Sequence, residues 1–209
     1  MKLVAISSSK NTEKEIQIIT SLFENGLNCF HLRKPDMNTK DMATFIEKIP
    51  AHFHNRIVIH SHHQLAGTFG LKGIHLTRIH RRRKISTWFR LRLLRMNNGN
   101  TVVSTTFHKL GNVYQNNYPY SYAFLGNIFD GISGTFSPGF NEHSLKAINE
   151  KSRIPLIARG GTNAENIALL KDLGFAGAAL YGCIWKREDP VKAYTGILER
   201  MKQQGLPAL

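Results

Sequence analysis

The residues of this 209-residue chain that could do chemistry recur at the ends of short apolar runs. They are His31, Arg33 and Lys34; His60 and His62; His75 with Arg78; Thr106 and His108; Asn127; Arg159, Gly160, Gly161 and Thr162; and Tyr181 with Gly182. The most suggestive stretch is Ile154 to Asn166, IPLIARGGTNAEN, where an apolar run passes through Gly160 and Gly161 into an amphipathic segment opened by Thr162. Adjacent glycines let the backbone come close to a ligand. The N–H groups of the turn and of a following helix would point at an anion, for which a phosphate is the physical candidate. Glycine also serves ordinary turns, and this stretch alone is compatible with either use.

The other positions divide by charge and by proton affinity. Arg33 and Lys34 would either balance a second anionic group or pair with Asp36 and Asp41. The histidines suit proton transfer, because imidazole titrates near neutral pH. A zinc site read from sequence calls for ligands at close spacing accompanied by a carboxylate. His60 and His62 come nearest and lack the acid, so no metal is expected.

Short strands and longer amphipathic helices must position these residues. Leu3 to Ile6 reads as a first strand. Asn11 or Thr12 is then the expected cap of a helix carrying Ile16, Ile19, Leu22 and Phe23 at helical spacing, stopped by Gly26. Strands follow at Asn28 to Arg33, Arg56 to His60, Gly73 to Leu76, Thr101 to Thr106, Tyr122 to Leu125, Pro155 to Ala158 and Gly177 to Tyr181. Helices are expected over Thr39 to Lys48, His63 to Phe69, Thr87 to Leu94, a short stretch opened by His108, Glu142 to Ile148, Ala164 to Leu173, and from Pro190 to about Gln203. Gly131 to Gly139, within DGISGTFSPGF, has the composition of a lid.

Eight strand–helix units with no linker between them match a single (β/α)8 barrel over residues 1–209, with a doubly wound open sheet as the alternative. In such a barrel, functional groups collect where strands end. The seventh and eighth units are a common place for a phosphate, which makes Gly160, Gly161 and Gly182 a paired site beside Tyr181.

Composition sets the outer bounds. Charged residues make up 20% and hydrophobic ones 42%, which suggests neither disorder nor a membrane protein. No apolar run approaches the roughly 20 residues of a spanning helix, and MKLVAISSSKNTEKE turns polar too soon for a signal peptide, so a cytoplasmic location is expected. Cys29 and Cys183 have no metal-type or redox spacing and sit in apolar contexts that favour buried, reduced thiols. The net charge of +14 is concentrated in Arg78, Arg81, Arg82, Arg83, Lys84, Arg90, Arg92 and Arg95, interleaved with Trp88 and Phe89. That segment reads as a solvated basic helix face; a nucleic-acid surface is the sharper alternative, without a recognised motif to support it.

The motifs also resemble a family in their order and spacing. HLRKPD at 31–36, RIVIHSHHQLAGTFGLKGIHL at 56–76, STTFH at 104–108, YAFLGNIF at 122–129, IPLIARGGT at 154–162 and GFAGAALYGCIW at 174–185 are similar to successive signatures of the thiamine-phosphate synthase and thiazole tautomerase superfamily. The resemblance implies a (β/α)8 barrel, usually a homodimer, that binds a thiazole phosphate with the glycine pair and the end of strand eight. By position it implies that His31, Arg33, Lys34, His60, Thr106 and Asn127 contribute to the substrate or to a second anion. In the synthase branch that ester joins a pyrimidine carried as its diphosphate, with Mg2+ assisting departure of pyrophosphate.

The sequence leaves the synthase pattern at informative places. His31 stands for a glutamine, and the second basic residue of that motif has moved to Lys34. The family's Asn-Asp-Arg falls on His60, Ser61 and His62, and its metal-binding acid falls near His80, so both carboxylates are missing. GNIFDGISG lacks the lysine that follows the corresponding family motif. Losing the groups that neutralise a departing diphosphate should cost orders of magnitude in rate. The resemblance therefore points to the tautomerase branch, where His108 would move the proton and no cofactor is needed. Mg2+ would enter only in an active synthase, which remains an alternative, as does a non-catalytic barrel that binds thiazole or thiamine phosphate.

Overall fold

A computed structural model describes residues 1–8, 14–97, 99–131 and 134–206, with the side chains at 84–86, 90, 95 and 97 outside the described set. Its strands are β1 (Lys2–Ile6), β2 (Phe30–Leu32), β3 (Ile57–Ile59), β4 (Gly73–Leu76), β5 (Val102–Phe107), β6 (Tyr122–Leu125), β7 (Leu156–Arg159) and β8 (Gly177–Leu180). They close into a barrel in chain order, so the expected (β/α)8 architecture holds and the open sheet does not. The chain divides into two compact units, residues 6–105 and residues 1–5 with 106–209.

The helices are α1 (Glu15–Glu24), α2 (Thr39–Glu47), α3 (Leu65–Thr68), α4 (Arg78–Arg82), α5 (Lys84–Asn97), α6 (Leu110–Tyr114), α7 (Glu142–Lys151), α8 (Ile167–Asp172), α9 (Gly182–Trp185) and α10 (Pro190–Gln203). Where local chemistry is decisive, expectation and structure agree. Asn38 accepts hydrogen bonds from the Lys40 and Asp41 N–H groups and starts α2, which buries Met42 and Ile46. Asp189 does the same for Val191 and Lys192 at α10, with Pro190 at the first position and Tyr194, Ile197 and Met201 inside. The candidate caps Asn11 and Thr12 lie outside the described residues.

Several expected helices change bounds; the one from Glu142 runs on to Lys151 instead of ending at Ile148, and the stretch expected to open at His108 becomes α6 from Leu110. The helix after β7 begins at Ile167 rather than Ala164, because Asn163 and Asn166 take over the backbone there. The Asn163 side chain accepts from the Glu165 and Asn166 N–H groups, and Asn166 donates to the Gly161 carbonyl. The basic segment forms α4 and α5 instead of one short helix near Thr87 to Leu94, with Thr77 and His80 closing a capping box at the first. The expected helix from His63 to Phe69 contracts to Leu65–Thr68. Among the described residues, no helix is long and apolar enough to cross a membrane.

Candidate functional site

In the unit containing residues 106–209, the groups of interest sit on loops after β5, β6, β7 and β8. His108 follows β5, is exposed, and its Nδ1 lies 2.7 Å from the Gly126 carbonyl oxygen. A carbonyl only accepts, so Nδ1 carries the hydrogen and the neutral ring presents Nε2 as its basic atom. Gly126 is itself held by its N–H to the Phe107 carbonyl at 3.1 Å. Asn127 is exposed and Thr106 half-buried.

Gly160 and Gly161 adopt φ values of +92° and +66°, a conformation that side-chain-bearing residues rarely take. Their neighbours make the requirement stricter. A Cβ on Gly160 would lie 2.6 Å from Cβ of Asn127, and one on Gly161 would lie 2.6 Å from Cβ of Phe129. Backbone bonds hold this packing, from Ile128 N–H to the Arg159 carbonyl at 2.8 Å and from Phe129 N–H to the Gly160 carbonyl at 3.2 Å. The glycine pair therefore has a complete structural reason.

It also has chemical potential, since no acceptor among the described residues takes the N–H of Gly160, Gly161 or Gly182, and all three residues are half-buried. Gly182 differs from the pair, because an added Cβ would meet only the Lys186 side chain at 3.7 Å. Tyr181 is exposed and receives the Ile184 and Trp185 N–H groups on its carbonyl, while the Thr162 hydroxyl donates to the Ala179 carbonyl at 2.5 Å. Thr162 thus fastens the turn to β8 instead of opening a helix. Burial pushes the Cys183 thiol up to about 11, leaving it a weak nucleophile.

The unit of residues 6–105 is built differently. Strand register sets His31 opposite Val58, Val58 opposite Gly73, and His75 opposite Ser104. His60 lies two residues beyond Val58 and His75 two beyond Gly73, so the period of two places His31, His60, His75 and Ser104 on one face. Their rings meet there. His31 Nδ1 is 2.8 Å from His60 Nε2, the His60 and His75 rings stack at 4.1 Å, and His75 Nδ1 is 2.9 Å from the Ser104 hydroxyl. His31 and His75 are buried and His60 half-buried.

Lys34 does not pair with Asp36 or Asp41 as one sequence reading allowed. Its ammonium is buried against the Glu15 carboxylate at 2.5 Å and donates to the Ser8 carbonyl at 3.0 Å. Burial raises the Glu15 carboxyl above its ordinary range, opposed by Lys34 and the Ser8 N–H. Arg33 is exposed, with its backbone N–H donating to the Ser7 hydroxyl at 2.8 Å. On the basic segment, Trp88, Phe89, Leu93 and Met96 are exposed and the Arg92 guanidinium lies 5.4 Å from the Trp88 ring centre.

Sequence reasoning named His31 and His60 as anion contacts and grouped His75 with them as a strand-end histidine suited to proton transfer. It did not foresee the Ser104 contact or the Glu15 pair. Period-two alternation across the second to fifth strands was the available signal for the first group. Glu15 had none, because its partner is 19 positions away on another element.

The donor set also bears on Mg2+, which the family resemblance brings with a synthase. That ion takes oxygen ligands in near-octahedral geometry. The positions that would supply them carry His60, Ser61, His62 and His80. His62 has both ring nitrogens engaged, to Thr39 Oγ1 at 2.8 Å and the Met37 carbonyl at 2.9 Å, and His80 Nδ1 lies 3.0 Å from Thr77 Oγ1. These residues do not fit Mg2+.

Comparison with known proteins places this architecture. A solved thiamine phosphate pyrophosphorylase from Bacteroides thetaiotaomicron is similar at 26% identity and a TM-score of 0.76, covering 98% of this chain and 99% of the other. A thiamine phosphate pyrophosphorylase from Pyrococcus furiosus shares the fold at 17% identity and a TM-score of 0.74, covering 97% and 96% of the two chains. No curated protein sequence matches. The thiamine monophosphate synthase family matches residues 3–184, nearly the whole barrel including the glycine turns and the histidine-bearing strands, and the chain belongs to that family.

Proposed function

We propose that this protein acts on a thiazole phosphate as a tautomerase-like member of its family. The carrying observation is His108, whose Nδ1–H is committed to the Gly126 carbonyl, so that Nε2 has a lone pair for a carbon-bound proton. The N–H groups of Gly160, Gly161 and Gly182 are the candidate phosphate donors. Backbone N–H groups suit this task because they bind an anion without bringing a charge of their own. The reaction needs one base to remove a proton and an acid to return it; one imidazole does both in turn. Asn127 and Thr106 belong to the same unit and would contact the ester or ring, whereas Arg33, His31 and His60 would serve a second anionic group. Lys34 is a weaker candidate for that role, given its buried pairing with Glu15.

A second reading, an active thiamine-phosphate synthase, is favoured by the similarity to the Bacteroides pyrophosphorylase. It must explain how a diphosphate leaves without the usual carboxylates. A homodimer in the cytoplasm, with no membrane or nucleic-acid partner, fits either reading.

Incubating the purified protein with the unconjugated thiazole tautomer tests the proposal. Aromatisation that is lost in His108→Ala is expected; undiminished turnover in that variant removes His108 from the chemistry. Coupling assays with and without Mg2+ separate the readings, since a Mg2+-dependent coupling rate would establish the synthase.

A further inference from the structure

We propose that His31, His60 and His75 form a mononuclear site for a divalent transition metal of the zinc class, with a fourth position open to an oxygen donor. The expectation of no metal came from ligand spacing along the chain. Here the ligands come from three consecutive strands, and one ring nitrogen of each lies within 4.8 Å of the others. Tetrahedral zinc with nitrogen at about 2.0–2.1 Å sets its ligand atoms about 3.3 Å apart. The His31 Nδ1 to His60 Nε2 separation of 2.8 Å is close to this, and because the His60 and His75 rings stack at 4.1 Å with their planes 17° apart, metal binding requires the His60 ring to turn out of that stack so that its lone pair meets the other two.

The surroundings suit such a site. A metal-bound histidine ordinarily hands its other ring nitrogen to an oxygen, which fixes the ring and its tautomer. His75 does so through Nδ1 to the Ser104 hydroxyl at 2.9 Å, so Nε2 is the nitrogen it would present to the ion. The same strand residue is also held through its backbone, with His63 Nε2 3.2 Å from the His75 carbonyl. His31 and His75 are buried, so their orientations are set by packing, while half-buried His60 is the ligand nearest solvent.

The donor chemistry selects the metal. Imidazole nitrogens favour zinc, cobalt, nickel and copper over magnesium or calcium. Three neutral imidazoles leave the charge of the ion uncompensated, so the fourth ligand is an anionic oxygen, such as a hydroxide or a carboxylate. That arrangement of three protein ligands and one exchangeable position is the type found in catalytic zinc centres.

The test uses the full chain stripped with chelator and titrated with Zn2+ or Co2+ alone, without substrate, so its result is independent of the tautomerase reading. One equivalent per chain is expected, with the strong visible absorption of four-coordinate Co2+. His60→Ala should weaken binding more than about 100-fold, and Ser104→Ala by about 10- to 100-fold. His52→Ala and His143→Ala, at exposed histidines, should bind as the parent does. Circular dichroism and thermal unfolding confirm that the variants are folded, and the half-buried His60 and the small Ser104 change make the test usable if the buried histidines cannot be replaced. Failure to bind one equivalent, or parental affinity in His60→Ala, overturns the site and leaves a hydrogen-bonded imidazole stack.

Discussion

The two compact units hold their polar groups by different means. In residues 6–105 the polar groups are side chains on strands or just beyond them: His31, His60 and His75 on one face, and Lys34 buried against Glu15. In residues 106–209 they are backbone groups, the N–H groups of Gly160 and Gly161 in the turn after β7 and of Gly182 at the start of α9, with His108 fixed by a carbonyl. A side-chain site is specified by register and can be changed one residue at a time. A backbone site is specified by conformation, so its residues are chosen for what they permit rather than for what they carry.

This contrast can be broken by experiment. The largest expected effect falls on the one side chain assigned to chemistry in the backbone-built unit. His108→Gln should lower tautomerisation by about 10²- to 10⁴-fold, the usual worth of a positioned acid–base group, with thermal stability nearly unchanged because the ring is exposed. A loss of activity that follows a loss of folded protein would contradict that split.

The side-chain-built unit should respond in stability. Glu15→Gln leaves the Lys34 ammonium buried without its counter-charge and is expected to cost about 3–5 kcal/mol in denaturant unfolding. Lys34→Met should cost less, because the Glu15 carboxyl is already raised by burial and can keep its proton. The sign follows: the folded state holds that proton where the unfolded chain has lost it. Stability from this group is therefore present below the ordinary glutamate range and declines as pH rises through the raised value. Removing the opposing ammonium should steepen the decline. Equal costs for the two variants at every pH would show that the pair does not act as an ion pair.

Glycine substitutions test the other unit with a smaller effect. Gly160→Ala forces a Cβ against Asn127 at a positive φ and should destabilise by about 1–3 kcal/mol. Gly182→Ala meets only the flexible Lys186 side chain and should stay within about 0.5 kcal/mol of the parent, with its N–H intact for an anion. The smallest effect concerns Cys183, whose thiol is pushed up to about 11: alkylation at pH 8 should be slow in the folded protein and fast in denaturant.

Much of this was legible in the chain, and the failures have physical causes. β4 and β6 fall on their expected bounds because short apolar runs between turn residues admit little else. The helix starts expected at Thr39 and Pro190 hold because the Asn38 and Asp189 side chains, which the sequence reading did not single out, cap them within three residues. The helix after β7 was placed too early because Asn163 and Asn166 compete for the backbone through side-chain bonds, a contest that propensity does not resolve. Lys34 was offered to nearby aspartates because only they were visible at short range.

The sequence by itself determined the eight-unit barrel, the family and the positions where functional groups emerge, since periodicity, turn residues and motif order are local properties. Tertiary structure decided what those groups are available for. It gave Lys34 to Glu15, pressed Gly160 and Gly161 against Asn127 and Phe129, chose the tautomer of His108 and gathered three histidines from three strands. Each of these depends on contacts between residues distant in the chain, and such contacts exist only once the strands have taken their register.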